Sequence, residues 1–306
     1  MKNNEIFKTI TDKFAEALRQ GVLPWRQKWL AMEKAYNNKS NEDYNLLNQL
    51  LLGKGGAWAT MKQWNEQKTA DGKAVKVKKG EHPSYIVQKW LDVVDADGKF
   101  QVEPIKTAVL KLAKYKVNET VEYNGINYTV RLTLKWVALF HVDQTNGGKA
   151  VRKAKKLGTV PSREAKADKT YKSYAKKQKI KVSEGSNEAF YQPATDSITV
   201  PAIEQYTDMA DYYSTLFHEL VHSTGAKNRL NRQIENKFGT KAYAKEELIA
   251  EMGSAFILSQ LGIETKDTFD NSAAYIQAWL EALENDIKFV YNACAGAEKA
   301  SNFIMA

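Results

Sequence analysis

A single cysteine in 306 residues, Cys294, excludes an intrachain disulfide and any cysteine-built zinc finger. Histidine is also scarce, with four in the chain, so a metal centre would need carboxylates beside imidazoles. Six prolines and 17 glycines are too few for a collagenous or low-complexity chain. No apolar run approaches the roughly 20 residues of a membrane-spanning helix. The opening stretch, MKNNEIFKTITDKF, lacks the apolar segment of a secretion signal and places Glu5 and Asp12 early. These absences lead to the expectation of a cytoplasmic protein with no membrane partner.

What is present suits a folded chain: 43% hydrophobic and 26% charged residues, with seven tryptophans and 15 tyrosines to fill cores. The formal charge of +9 favours anionic partners, nucleic acid foremost. That charge is concentrated. Residues 149–181 hold thirteen Lys or Arg against Glu164 and Asp168, a local +11 that leaves the remainder slightly acidic. Two readings of the stretch stand side by side, a solvated linker leading into a charged helix (162–177) and an electrostatic footprint for nucleic acid.

Periodicity divides the chain. Ile6, Phe7, Ile10, Phe14 and Leu18 recur at helical spacing before Gly21, and further helices are expected at 44–52 and 58–67. Residues 85–94 and 100–112 are rich in β-branched and aromatic side chains around the turn 95–98. Residues 121–123 and 126–134 flank Asn124-Gly125, a two-residue hairpin signal, and 135–142 extends as another strand. Short strands at 180–182, 189–192 and 197–200 precede helices at 206–222, 244–261 and 273–291. The expected fold is α+β in two domains: residues 1–145 as helices on an antiparallel sheet, 146–160 as a basic linker, and 161–306 as a catalytic-type domain.

The chemistry concentrates in His218-Glu219-Leu220-Val221-His222. Histidines four apart on a helix share a face and reach one ion together. Both are therefore assigned as ligands of Zn2+, with Glu219 as the base that takes a proton from the attacking water. The alternative is a surface helix with incidental histidines. His82 and His141 have no such pattern and are read as structural. A third ligand must be a carboxylate on a following helix. Glu247 and Glu251 stand at i and i+4 beside an apolar face, giving Glu247 as ligand and Glu251 as partner of a ligand histidine, with exchanged roles as the alternative. Glu246 is rotated off that face. Tyr243 is the candidate for stabilising an oxyanion.

The second motif, Glu247-x-x-x-Glu251, resembles that of the gluzincin metallopeptidases. The wider context, His218 through Gly225, Arg229-Leu-Asn-Arg232 and Tyr243 through Glu251, resembles the ArdC antirestriction proteins. Tyr191, Asp196-x-Ile198 and Pro201 agree, as does Ala274-Tyr-Ile-x-x-Trp279. In the first half the resemblance continues through Trp58-x-Thr60-x-x-Gln63, Val77-x-Lys-Gly80 and Phe140-x-Val-Asp-Gln144. Leu46 departs from it, standing where the family's Tyr-x-Gly-x-Asn has glycine. The resemblance implies an N-terminal domain that binds single-stranded DNA and a zincin-like metallopeptidase domain acting on a protein or peptide. Double-stranded DNA is expected to bind more weakly. Six tryptophans (25, 29, 58, 64, 90 and 136) lie in the first half, interleaved with Lys28, Lys62, Lys89 and Lys135. Base stacking with backbone neutralisation needs such pairs, and Trp25, Trp58 and Lys62 are the expected contacts. At least three of the six are expected in the core. A non-catalytic DNA-binding protein with a structural zinc is the alternative function.

Overall fold

The first helix, α1 (Asn3–Arg19), buries Ile6, Phe7, Ile10, Phe14 and Leu18, the stripe that its spacing places on one face. In this computed structural model the described residues are 3–26, 34–152, 160–206, 208–232, 234, 240–263 and 273–306. Lys28, Trp29 and linker positions 153–159 lie outside them.

The N-terminal half is built on a five-stranded sheet of β1 (Ala35–Asn37), β2 (Gly56–Ala59), β3 (Ser84–Asp95), β4 (Thr120–Tyr123) and β5 (Ile126–His141). The order is β1-β2-β5-β3, with β4 also on β5; β1 and β2 are parallel and the other pairs antiparallel. At the β4–β5 turn Asn124 and Gly125 take φ of 55° and 76°, the left-handed pair that matches strand twist. The strand expected to restart at residue 135 is continuous with its predecessor, because β3 pairs with β5 from Tyr128 to Leu139.

Helix α2 (Leu46–Leu52) begins at Asn45, whose side chain accepts from the Asn48 N–H. Asn48 itself satisfies the free edge of β3, donating to Val87 O at 3.0 Å and accepting from Val87 N at 2.9 Å. Leu46 is in the core, 1% exposed. Helix α3 (Met61–Asn65) is shorter than the helix expected over 58–67, since Trp58 belongs to β2 and Thr60 starts the helix. Thr60 and Gln63 form a reciprocal capping box, which gives the Trp58-x-Thr60-x-x-Gln63 motif a local structural reason.

Two expectations fail for identifiable reasons. Instead of a strand over 100–112, α4 (Ile105–Leu112) follows Pro104, and Val109 and Leu110 turn inward. Proline suits a helix start, and the apolar spacing fits three and four as well as two. Instead of one helix over 273–291 there are α8 (Ala273–Asn285) and α9 (Phe289–Met305). Asp286 breaks them apart: its carboxylate accepts from Lys288 N and its carbonyl from Phe289 N, both at 2.9 Å.

The C-terminal half places α5 (Val160–Gln178) before a three-stranded sheet of β6 (Lys181–Ser186), β7 (Phe190–Gln192) and β8 (Ser197–Pro201), ordered β6-β8-β7. Then come α6 (Met209–Ser223) and α7 (Lys241–Leu261). The α+β architecture has two domains, yet one core joins them. Ile6, Trp25, Leu46, Val87 and Leu134 share a cluster with Phe217, Trp279 and Phe289, and Trp25 meets Trp279 edge-on at 5.5 Å. As expected, three of the six N-terminal tryptophans are core: Trp25, Trp58 and Trp64 are 2%, 3% and 0% exposed.

The contact that sets up the site is α6 against α7. At Gly253 an added Cβ would stand 2.9 Å from Val221 Cγ2, inside contact distance. Gly253→Val is therefore expected to cost about 1–3 kcal/mol through overpacking. Denaturant unfolding measures it, and an unchanged midpoint would show that the helices adjust freely.

Candidate metal centre

Asp208 caps α6, accepting from Ala210 N at 2.9 Å, so the helix starts at Met209, three residues later than expected. The helix runs through His218 and His222 and ends at a turn where its last carbonyls need donors. Arginines supply them. Arg229 donates to Ser223 O at 2.8 Å, and Arg232 donates to Val221 O at 2.8 Å and Thr224 Oγ1 at 2.7 Å. Cations at a helix C-terminus also face its partial negative charge. Arg229 is locked by a two-pronged pair with Asp196, whose carboxylate accepts from Tyr191 as well. The scattered motif residues Tyr191, Asp196, Arg229 and Arg232 thus share a task, fixing where α6 stops.

Helix α7 starts at Thr240, which accepts from Tyr243 N at 3.2 Å, and brings Glu246, Glu247 and Glu251 to α6. The Nε2 atoms of His218 and His222 are 3.0 Å apart. Glu247 faces both: Oε2 lies 3.4 Å from His218 Nε2 and Oε1 lies 3.5 Å from His222 Nε2. Two ligand atoms about 2.0–2.1 Å from one tetrahedral ion stand roughly 3.3–3.4 Å apart. The three side chains match that spacing.

Each histidine turns its other nitrogen to a different carboxylate. His218 Nδ1 is 3.6 Å from Glu251 Oε1, and His222 Nδ1 is 3.2 Å from Glu246 Oε1. A proton held on Nδ1 leaves the Nε2 lone pair for a metal. Glu246 is in turn gripped by Arg232, Nε to Oε2 at 2.9 Å and Nη2 to Oε1 at 2.7 Å. Its role escapes the sequence reading. Glu246 is off the Glu247 face, as expected, but it reaches the far side of His222. The only sequence signal was Arg232 within the Arg229-Leu-Asn-Arg232 motif.

Electrostatically the site calls for a cation. Burial lowers the His218 pKa, but Glu247, Glu219 and Glu251 outweigh it and push the imidazole up to about 9. Burial raises Glu246, yet Arg232 and His222 hold it below the ordinary carboxylate range. Glu247 is likewise held low against burial by His218 and His222, with a hydrogen bond from Tyr243. Glu219 is 7% exposed, and its carboxylate accepts no hydrogen bond among the described residues. A nitrogen, nitrogen and oxygen donor set in an anionic setting suits a divalent metal.

The residues expected to meet DNA are placed differently. Trp25 and Trp58 are buried, the first against Trp279 and the second edge-on to His141 at 5.0 Å, so neither presents a ring to a base. They were favoured for lying next to loops and cations, which does not report burial. Lys62 is exposed. Among the described residues Trp90 is the exposed indole, 42% accessible on β3, with Lys135 Nζ 4.9 Å from its ring centre.

Comparison with known proteins fits this arrangement. Residues 4–130 match the family model described as the N-terminal domain of anti-restriction factor ArdC, and residues 169–296 match a zincin-like metallopeptidase. The crystal structure of antirestriction ArdC from the R388 plasmid superposes with a TM-score of 0.70 at 25% identity, covering 97% of this chain and 96% of that one. The chain is an ArdC-like protein. A Mn(II)-bound structure of the same R388 protein matches equally, with a TM-score of 0.70 and 26% identity. The ArdC-like chain is also 30% identical over 309 residues to a DNA primase TraC of Escherichia coli, and 30% identical over 312 residues to a second. It spans only 20% and 27% of the length of these primases. The uncharacterized protein y4eC of Sinorhizobium fredii is 26% identical and is covered over 92% of its length. No helix among the described residues of the ArdC-like chain is long and apolar enough to cross a membrane.

Proposed function

We propose that this chain is a cytoplasmic antirestriction-type protein that holds single-stranded DNA and cleaves DNA-associated proteins at a zinc centre. The carrying observation is the convergence of His218 Nε2, His222 Nε2 and Glu247 beside an uncommitted Glu219. Among the described residues three protein donors converge, and not four, which favours an open catalytic site over a closed structural one. When bound, zinc would polarise the scissile carbonyl and make water acidic enough to deprotonate near neutral pH. Glu219 takes the proton of the attacking water and passes it to the leaving amine. Glu251 and Glu246 keep the two imidazoles oriented. Tyr243, already hydrogen-bonded to Glu247, is the candidate for steadying the oxyanion.

Metal analysis of wild type and His218→Ala tests the centre: about one equivalent of zinc is expected in the first and a large loss in the second. Equal retention by both would remove the assignment.

For DNA, the supporting feature is the sheet face around Trp90. Gln88, Trp90 and Asp92 pair across β3–β5 with Lys135, Thr133 and Arg131, so these six residues share one face. Lys106 from α4 and, at 3.8 Å, Lys135 share the one carboxylate of Asp92, so with Arg131 three cations face a single acid beside an exposed indole. Indole stacking with cations alongside suits a single strand read without base specificity. Trp90→Ala is expected to cost about 1–3 kcal/mol of single-strand affinity. Lys135→Ala is expected to reduce the salt slope by about one phosphate contact. Unchanged oligonucleotide binding in both variants would move the interface elsewhere.

A further inference from the structure

Behind the metal-facing side of His222, α7 and α9 line a half-open pocket of about 620 Å³. Its wall includes the apolar Ile249 and Leu230, the polar Lys245, Lys299 and Asn292, and the inner pair Arg232–Glu246. A volume of this size accommodates a ligand of mononucleotide size, for which about 300–1,000 Å³ is usual.

The lining is unbalanced in charge. Both oxygens of Glu246 are engaged by Arg232, so this carboxylate does not neutralise the cations around the cavity. Among the described residues the side chains of Lys245, Lys299 and Asn292 make no hydrogen bond or ion pair. Two uncompensated ammonium groups at one cavity attract an anion. Arg232 spends four N–H groups on Glu246, Thr224 and Val221, and a guanidinium has five. One donor therefore remains on Nη1. Asn292 offers an amide with both donor and acceptor, the pairing that reads a base edge. Partly buried Leu230 supplies apolar surface for a ring, with the buried Ile249 beneath it in the wall.

We propose that this cavity binds an organic phosphate of nucleoside monophosphate size, and that its occupancy is felt at the metal centre through Arg232, Glu246 and His222. The phosphate lies with Lys245 and Lys299 and takes the spare donor of Arg232; the base lies against Leu230 within reach of Asn292. Drawing Arg232 toward the phosphate loosens its hold on Glu246, the group that orients His222 from behind. Binding and metal affinity are then linked, and the coupling is the same in both directions. The second half of the proposal rests on His222 being a metal ligand. The first half does not.

Calorimetry on the full, metal-free chain tests the cavity with adenosine monophosphate, inorganic phosphate and adenosine as separate probes. Adenosine monophosphate is expected to bind about tenfold more tightly than either part alone, and the Lys245→Ala/Lys299→Ala protein to lose about tenfold or more. Trp90→Ala separates this site from the sheet face and is expected to leave nucleotide binding unchanged. Absence of binding, or binding indifferent to both lysine substitutions, overturns the site. Inorganic phosphate binding as well as the nucleotide overturns the role of the apolar wall. Repeating the titration on Mn2+-loaded protein is expected to shift nucleotide affinity by about fivefold or more. An unshifted affinity on protein shown to hold Mn2+ overturns the coupling. If the chain takes up no metal at all, the metal reading falls while the metal-free titration still decides the cavity.

Discussion

Glu219→Gln is expected to keep its metal and to lose peptide hydrolysis by about 10²–10⁴-fold, the usual contribution of a positioned general base. Glutamine has nearly the same shape and cannot accept the proton of the attacking water. The donor atoms that converge belong to His218, His222 and Glu247, so the substitution leaves the metal site its ligands. Stability provides an internal control. Glu219 is 7% exposed and accepts no hydrogen bond among the described residues, so a neutral amide breaks no hydrogen bond and takes one of three carboxylates from beside His218. Unfolding of the variant is therefore expected to stay close to that of wild type. Hydrolysis of a denatured protein substrate, measured beside metal content, decides the matter. Wild-type rates in metal-loaded Glu219→Gln would mean that another group takes the proton.

How far the sequence carries depends on how local the signal is. His218 and His222 are legible because four-residue spacing on a helix fixes which side chains share a face. The Asn124-Gly125 hairpin is legible because its backbone conformation selects those residues. Glu247 and Glu251 are approachable by the same spacing rule. Glu246 is not: helical spacing says which face a side chain takes and not what meets it from another element. Its link to His222 depends on Arg232 closing the turn after α6, a contact between segments that spacing does not encode. The tryptophans show the same limit from the other side. Trp25 and Trp90 both lie near lysines in sequence, but one packs on Trp279 and the other stands on an open sheet face. Burial is decided by the partner, and for Trp25 that partner is more than two hundred positions away. Likewise the break between α8 and α9 depends on one aspartate accepting from the backbone, a weak signal inside an apolar helical pattern.

Arg232→Ala is expected to have the largest effect on stability, about 3–5 kcal/mol, because it strands a buried carboxylate. Glu246 is 5% exposed and Arg232 supplies two of its hydrogen bonds. The same side chain satisfies the carbonyl of Val221 and the hydroxyl of Thr224, so its removal also uncaps α6. Metal affinity is expected to fall as well, by about 10–100-fold, the usual consequence of losing the group that orients a ligand histidine. Arg232→Lys separates charge from shape: an ammonium can neutralise Glu246 but cannot form the two-pronged contact while reaching Val221. It should recover stability more fully than metal affinity. Denaturant unfolding of the metal-free proteins, followed by zinc titration of whichever variants fold, reads both effects. If folded Arg232→Lys binds zinc as tightly as wild type, the guanidinium acts only as a brace for α6. A deficit in zinc affinity without a matching deficit in stability identifies Arg232 as a positioning residue, acting through Glu246 on the Nδ1 side of His222.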